Sequence, residues 1–255
     1  CGKISVCNNL YQYGIPFTDT TSHTSDISGD EFKADLARFA AICRVVTGLK
    51  HARVGLIGAR PTAFQTVRFS EKLLQKSGIT VVPVDLTDIH GIDDKLKDDD
   101  PEVIAKIKKI REYGQIESCI KEEKILKHAK FSVAIDKWCE DNDIDISAIQ
   151  CWNSLEDHYG CAACVTMSML SEQKKPCACE ADVAGAVSMY ALALASDNPA
   201  ALLDWNNNYA YEKNVCVNTH CSNFPRSFMG TEVKIGNLDL LGKTFGPENC
   251  FGAVK

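Results

Sequence analysis

Residues 51–86 have the sequence HARVGLIGARPTAFQTVRFSEKLLQKSGITVVPVDL, and this stretch decides the fold. VGLIG and ITVVPVDL are short apolar runs rich in Val and Ile, which indicate two buried strands. Between them, residues 62–78 have the apolar period of a helix that ends at Gly78, with Pro61 suited to its first turn. Strand, helix and strand in this order form the unit of a parallel sheet. We therefore predict an α/β fold of open, mostly parallel sheets flanked by helices in Rossmann-like units.

The segments outside this stretch extend the pattern. Residues 3–17 predict a strand and a turn, and residues 30–49 predict a helix. The charged stretch 93–130 has Lys, Asp and Glu at helical spacing and predicts solvated helical faces without chemistry. The remaining predictions are a helix at 132–144, a buried strand at 146–152, a short helix at 162–173, a long apolar helix at 181–195, and strands at 201–205 and 215–220.

Composition restricts the class of protein. The 255 residues are 45% hydrophobic and carry a net charge of −6, which is typical of a globular chain with a sizeable core. Basic runs interleaved with aromatic residues are missing from the sequence, which argues against nucleic acid or an anionic membrane as the main partner. Neither a span of about 18 apolar residues nor a signal sequence is present. We expect a small-molecule partner, a cytoplasmic location and missing sequence at both ends.

The chain has 13 cysteines, an odd number that excludes complete pairing within one chain, so disulfides are not expected. Cys161 and Cys164 have CxxC spacing, and with Cys177 and Cys179 they match a structural zinc site on paper. The alternative, favoured for most of the cysteines, is that buried free thiols act as small hydrophobic residues. Single cysteines in apolar or amphipathic contexts are Cys1, Cys7, Cys43, Cys119, Cys139, Cys216 and Cys250.

Carboxylate and imidazole groups lie at the borders of apolar segments in the second half of the chain. They are Glu180, Asp182, Asp204 and His220. Such a mixed set suits a divalent metal that polarises substrate oxygens. Glu180 comes near the start of the apolar helix, whose dipole stabilises a carboxylate by up to about 1 kcal/mol. Helix capping alone is the alternative role for Glu180 or Asp182. Asp204 and His220 are predicted at the ends of two strands.

Six segments of the sequence, in chain order, are GLIGARPTAFQTVRFSEKLL, IQCWNSLEDHYG, CEADVAGAVSMYALALAS, LLDWNNNY, HCSNFPRSF and FGPENCFG. Together they resemble the L-fucose/L-arabinose isomerase family, most closely its fucose isomerase-like branch. The resemblance covers most of the chain and implies that Glu180 is a metal ligand and an acid/base residue. It also implies that Asp204 is a metal ligand and the acid/base partner, and that Gln150 binds substrate. His220 is similar to a histidine that the arabinose isomerases place near the metal.

The resemblance implies an enzyme of carbohydrate metabolism, an intramolecular oxidoreductase that interconverts an aldose and a ketose. The expected substrate is a pentose, a 6-deoxyhexose or a related sugar, and the reaction passes through an enediolate. The expected cofactor is Mn²⁺ or another divalent cation, and the expected assembly is a homo-oligomer, a trimer or a hexamer. The alternatives are a non-catalytic sugar-binding module and a metal-dependent epimerase or aldolase.

Several side chains are candidates for contacts with the sugar. Asn206 is a candidate for binding hydroxyl groups, although Asn-rich turns are often structural. Trp152 and Trp205 are candidates for apolar walls, with core packing as the alternative. Arg60 at a strand end has the planar donor set that binds a phosphate or sulfonate, with an ordinary surface arginine as the alternative.

The resemblance also predicts the domain organisation. Residues 1–50 correspond to the end of an N-terminal α/β domain, and residues 51–197 to a middle α/β domain that carries Glu180. Residues 198–255 correspond to the start of a C-terminal domain, of mixed α/β or β structure, that carries Asp204 and His220. Family members have a further metal-binding histidine in that domain, and the present sequence ends before it. We therefore expect this segment alone to be inactive.

Overall fold

The computed structural model describes residues 2–230 and 232–255. Cys1, predicted to be a single free thiol, lies outside the described residues. Short 3₁₀ turns lie at Gln65–Val67, Arg226–Phe228 and Pro247–Asn249, and a π-helical turn at Leu155–Tyr159. In chain order the other elements are α1 (Gly2–Gln12), α2 (Asp30–Lys50), β1 (Arg53–Ile57), α3 (Glu71–Lys76), β2 (Thr80–Val84), α4 (Leu86–Asp93), α5 (Pro101–Tyr113), β3 (Gln115–Ile116), α6 (Glu122–Asp141), β4 (Ile146–Ile149), α7 (Cys164–Glu172), β5 (Cys177–Ala178), α8 (Val183–Ser196), β6 (Asp204–Tyr209), β7 (Glu212–Thr219), β8 (Lys234–Asn237), α9 (Asp239–Phe245) and β9 (Phe251–Val254).

The central sheet is parallel and has the strand order β2-β1-β4-β5. The chain runs from β1 to β2 on one side and later returns to place β4 on the other side of β1. In open α/β sheets, ligands bind outside the carboxyl ends of the strands where the winding changes direction. The carboxyl edge of β1, β4 and β5 is therefore the place to look for a site. The predicted α/β class with a parallel sheet is confirmed.

Helices cover both faces of this sheet. On one face, α4, α6 and α7 bury a cluster that includes Phe131, Ile149 and Met167. On the other face, α8 packs its apolar side against Val54 and Ala148 of the sheet. Each large apolar side chain that is fully buried contributes about 1.5–3 kcal/mol, so both faces stabilise the sheet. The outer helix α2 is held to α8, because the Arg44 guanidinium donates to the carbonyls of Leu194 and Ala195.

Two smaller sheets complete the fold. In the order β3-β8-β9, β3 and β8 are parallel and β8 and β9 are antiparallel. This sheet packs with α5 and α6 and joins residues from both sides of residue 197. The predicted division of the chain at residues 50 and 197 stays a prediction. Strands β6 and β7 form an antiparallel hairpin whose residues are exposed throughout.

The strand predicted within residues 3–17 is wrong, because Gly2–Gln12 form α1. The apolar residues Ile4 and Val6 of this segment are more than half exposed, so neither is held in place by a core. Strands need partners for their backbone groups, whereas a helix satisfies most of them internally. A helix is therefore the conformation in which this segment pairs most of its backbone N–H and carbonyl groups without a partner strand.

The helix predicted from Pro61 begins later, at Glu71. Before it, the Phe64 amide donates to the Pro61 carbonyl in a turn, and the Arg60 side chain caps carbonyls of the same loop. These hydrogen bonds replace those of a first helical turn. The helix predicted at 132–144 corresponds to the second half of α6, which begins earlier, at Glu122, and ends earlier, at Asp141.

Asp204 was predicted at the end of a strand, but it is the first residue of β6. The apolar residues Ala201, Leu202 and Leu203 that precede it form no strand. His220 follows β7 directly, as predicted. Because β6 and β7 are antiparallel, the start of β6 lies beside the end of β7, and Asp204 pairs with Thr219. The two predicted site residues are thus brought to the same end of the hairpin.

In residues 2–230 and 232–255, no helix combines the length and the apolar character needed to cross a bilayer.

Candidate functional site

Glu180 lies two residues beyond β5, at the carboxyl edge of the central sheet. Its backbone has a φ of 63°, and Ala181 follows with a φ of 56°. Left-handed backbone at a residue other than glycine costs on the order of 1–3 kcal/mol and persists where neighbouring structure enforces it. The Ala181 amide donates to the Ile149 carbonyl at 3.0 Å, which fixes this bend to β4. The bend holds Glu180 at the sheet edge.

Glu180 is buried, with 7% of the residue exposed. Burial raises its pKa to about 7, and the negative charges of Asp204 and Asp182 add to the effect. A carboxylic acid whose pKa lies near neutrality can both take up and release a proton at physiological pH. Perturbed carboxyl groups of this kind are typical of catalytic sites, although structural networks also produce them.

His220 is half-buried and lies at the end of β7. Its Nδ1 accepts a hydrogen bond of 2.9 Å from the backbone N–H of Cys221. Burial lowers the pKa of the imidazole, and the carboxylates of Asp204 and Asp182 act in the opposite direction. The neutral ring that burial favours is the form that binds metal ions.

Glu180 and His220 meet at this edge. Ligand atoms of Cys179, Glu180 and His220 all lie within 4.8 Å of one another. Within the part of the chain that the structure describes, this is the one group of three or more such side chains able to hold a metal ion. Carboxylate and imidazole donors suit a divalent cation, and a thiolate adds a softer donor. The residues present therefore fit a divalent metal.

Asp204 does not belong to that group of three. Its side chain is exposed, yet its charge affects the pKa of both Glu180 and His220. The structure thus brings Glu180 and His220 together and places Asp204 near them without direct ligand distance. The sequence predicts Cys179 only as part of a structural zinc site and not as a neighbour of Glu180 and His220, although its position immediately before Glu180 is a signal that could have identified it.

Asp182 has a capping role. It is the N-cap of α8, and its carboxylate accepts a hydrogen bond of 2.8 Å from the Gly185 amide. Burial raises its pKa, and the hydrogen bonds from Gly185 and Ala184 lower it. The capping alternative considered for Glu180 or Asp182 therefore applies to Asp182 and leaves the Glu180 carboxyl group for other chemistry.

Gln150 joins the ends of β1 and β4. Its Oε1 accepts from the Ala59 amide at 2.7 Å, and its Nε2 donates to the Trp152 carbonyl and to the Ser154 hydroxyl. Gln150 also lines a cavity of about 850 Å³ at this edge of the sheet. The other residues that line the cavity are Gly58, Ala59, Pro83, Val84, Asp85, Leu86, Thr87, Asp88, His90, Ser154 and His158.

Three of the four remaining predicted substrate contacts have local partners, whereas the fourth, Trp205, is 84% exposed. The Trp152 ring packs edge-on against Phe64 at 5.4 Å. Nη1 of Arg60 donates to the carbonyls of its own loop. Asn206 donates to the Thr219 hydroxyl at 2.6 Å across the hairpin. In the described residues, none of these three side chains hydrogen-bonds to Glu180 or His220, and their roles toward substrate stay predictions.

The zinc arrangement considered for four cysteines is not formed in the described part of the chain. Cys161, Cys164, Cys177 and Cys179 are all buried, but they are not brought together as a metal-holding group. Each is a free thiol. The alternative interpretation, buried thiols that pack as small hydrophobic residues, describes their surroundings in the core.

Glu156 is a second buried carboxyl group, which sequence reasoning missed. It lies in the π-helical turn and is 1% exposed, and neither carboxyl oxygen has a hydrogen-bond partner among the described residues. Burial raises its pKa from 4.5 to about 7. Desolvation favours the neutral acid in the folded protein.

This shift predicts a pH-dependent stability. Because the folded-state pKa of Glu156 is raised, its contribution to stability is complete below about pH 4.5 and is lost as the pH rises through about 7. The loss is on the order of 3 kcal/mol.

We expect Glu156→Gln to remove this part of the pH dependence in urea unfolding measured between pH 5 and pH 8. Asp157→Asn, at the exposed neighbouring position, should leave it unchanged. An identical pH profile for Glu156→Gln and the unmodified protein would refute the assignment.

The chain is similar in sequence to known sugar isomerases. The family model described as "Fucose/sulfoquinovose isomerase, N-terminal domain" matches residues 1–50. The sulfoquinovose isomerases of Priestia aryabhattai and Priestia megaterium are each 28% identical over 221 residues, which is 86% of this chain and 48% of the relative. The sulfoquinovose isomerase of Alkalicoccus urumqiensis is 27% identical over 190 residues, 72% of this chain and 42% of the relative. The chain spans about half the length of the curated relatives it matches.

Proposed function

We propose that this chain carries the acid/base and metal-holding part of an aldose–ketose isomerase. The matched family model and the sulfoquinovose isomerases support its resemblance to the fucose isomerase-like family. The observation that carries the proposal is the meeting of a buried carboxyl group, Glu180, with the imidazole of His220 at the carboxyl edge of a parallel sheet. This edge is where α/β proteins bind small ligands. The acid/base residue Glu180 and the group that could hold a metal ion thus lie at the same sheet edge.

Glu180 and His220 would hold the divalent cation, with Asp204 added by the family resemblance. Mn²⁺ is the cation that the resemblance implies. When bound, such a cation polarises substrate oxygens as a Lewis acid, a role worth several kcal/mol. The hydrogen bond from the Cys221 amide orients the His220 ring for this purpose.

Glu180 is the residue to which we assign proton transfer between C1 and C2 of the sugar. Its pKa of about 7 keeps both protonation states available at neutral pH. We assign Asp204 as its acid/base partner. Asp204 lies on the hairpin rather than on the sheet, so it approaches from another element.

For the substrate, we place sulfoquinovose first, because the curated relatives are named for it. L-Fucose and L-arabinose are the neutral alternatives from the wider family. A sulfonate calls for a basic side chain, and Arg60 is our candidate. Nη1 of Arg60 is committed to the carbonyls of Pro61, Thr62 and Phe64, which fixes the guanidinium at the loop after β1. A fixed guanidinium binds an anion with little further loss of entropy.

The test is ketose formation by the complete protein from sulfoquinovose, L-fucose and L-arabinose, followed by NMR. We expect one aldose to be converted with Mn²⁺ present, and the rate to fall by about 100-fold or more after chelation, because the Lewis-acid contribution is lost. Re-addition of Mn²⁺ should restore the rate. Binding without turnover would support the sugar-binding module, and an epimer or a cleaved sugar as product would support the epimerase or aldolase. Either result would reject the isomerase.

A further inference from the structure

Two buried thiols lie in contact beside the candidate site. The Cys179 Sγ donates a hydrogen bond to the Cys151 Sγ at 2.9 Å. Cys179 directly follows β5, and Cys151 lies two residues beyond β4, its parallel neighbour. Cys179 is 1% exposed and Cys151 is 4% exposed. Both sulfur atoms are therefore held at the carboxyl edge of the sheet by two adjacent strands.

The positions of these thiols suit a covalent bond. A disulfide has an S–S distance of about 2.04 Å, so the sulfur atoms need to approach by roughly 0.9 Å. The backbone on both sides is tied down, because the Ala181 amide donates to the Ile149 carbonyl. Side-chain rotation can supply so small a movement.

We infer that Cys151 and Cys179 are a modification site, a thiol pair that a peroxide oxidises reversibly to a disulfide that disables the adjoining metal-holding group. The effect on activity rests on the proposed function, whereas formation of the disulfide does not. The link to the site is direct, because the Cys179 sulfur belongs to the group of ligand atoms that includes Glu180 and His220. A disulfide bond to Cys151 removes the Cys179 sulfur from the metal-holding group and constrains the backbone immediately before Glu180.

The reaction balances with hydrogen peroxide as the oxidant. The sulfur of Cys151, the more exposed of the pair, attacks one peroxide oxygen and becomes a sulfenic acid, and the O–O bond breaks to release one water. The Cys179 sulfur then attacks the sulfenic sulfur and displaces its oxygen as a second water. Two thiols lose two electrons in total and one peroxide gains them. A dithiol reductant reverses the change by thiol–disulfide exchange.

The experiment treats the reduced complete protein with hydrogen peroxide, blocks the remaining thiols with an alkylating agent and maps the peptides by mass spectrometry. Mn²⁺ binding by calorimetry and isomerisation are measured on the same samples. Cys151→Ser is the test variant. Cys250→Ser is the matched control, because Cys250 is equally buried in the same cluster and, among the described residues, hydrogen-bonds to no other thiol.

We expect a Cys151–Cys179 disulfide in the unmodified protein and in Cys250→Ser, with at least a tenfold loss of Mn²⁺ affinity and of turnover that dithiothreitol restores. Cys151→Ser should keep both properties after the same treatment. Oxidation of the exposed Cys43, Cys119 and Cys216 while the pair stays reduced would overturn the inference, and this result needs no variant. A disulfide without loss of Mn²⁺ affinity would show that the bond does not disable the metal-holding group. A disulfide in a protein that never isomerises a sugar, even when reduced, would instead count against the proposed function.

Discussion

Glu180→Gln is expected to lower the kcat of sugar isomerisation by about 10²–10⁴-fold, the usual contribution of a positioned acid/base group. Glutamine has nearly the same size, so it fills the buried position at the sheet edge without leaving a cavity. It cannot take up and release the proton that moves between C1 and C2. The measurement is steady-state kinetics of ketose formation at saturating Mn²⁺, which separates loss of proton transfer from loss of metal.

The control is Glu123→Gln, because Glu123 is an exposed carboxyl group on α6 and, among the described residues, does not belong to the metal-holding group. This variant should keep the kcat of the unmodified protein. Glu180→Gln should also unfold at a denaturant concentration no lower than the unmodified protein at pH 8, since it removes a buried charge. A folded Glu180→Gln protein with undiminished kcat would show that another residue transfers the proton.

Gly78→Ala is expected to destabilise the fold by about 3 kcal/mol or more, the largest effect on stability that we predict. Gly78 has a φ of +87°, a backbone conformation that residues other than glycine rarely adopt. A Cβ atom there would lie 1.9 Å from the carbonyl oxygen of Lys50, the last residue of α2. The Gly78 and Lys50 backbones cannot move apart easily, because the Thr80 amide beside them donates a hydrogen bond to the Ala52 carbonyl.

The measurement is urea unfolding of Gly78→Ala beside Gly91→Ala. A Cβ atom at Gly91 in α4 would meet nothing within 4 Å, and alanine favours a helix over glycine by about 0.5–1 kcal/mol. The control should therefore be as stable as the unmodified protein or slightly more so. Equal stability of the two variants would mean that the junction between α2 and β2 is looser than the structure describes.

The central sheet was predictable because its signals are local. The runs around Val54 and Val81 are apolar, β-branched and bounded by glycine or polar residues, and the structure pairs them in parallel. The segment at 3–17 contains similar residues but packs them against no core, so residue type alone could not distinguish a strand from a helix. The loop at 61–64 depends on hydrogen bonds from the Arg60 side chain, which no periodicity shows.

Part of the candidate site was also predictable. Glu180 and His220 were identified because each borders an apolar element, and elements of this kind deliver side chains to the edge of a sheet. Cys151 and Cys179 become neighbours only through the pairing of Ala148 with Ala178, and such a register is a tertiary property. Glu156 was missed because its burial depends on how the turn packs, not on the residues around it in the sequence.

The most direct test of the account is the reaction of the complete protein with its aldose in D₂O in the presence of Mn²⁺, followed by NMR at C1 and C2. Proton transfer by Glu180 predicts a ketose that carries solvent deuterium at C1, because the proton taken from C2 exchanges with solvent while the enediolate is present. The same signal should be weaker by about 10²–10⁴-fold in Glu180→Gln. A ketose that retains the original C2 hydrogen at C1 and is formed by Glu180→Gln at an undiminished rate would indicate hydride transfer and contradict proton transfer by Glu180.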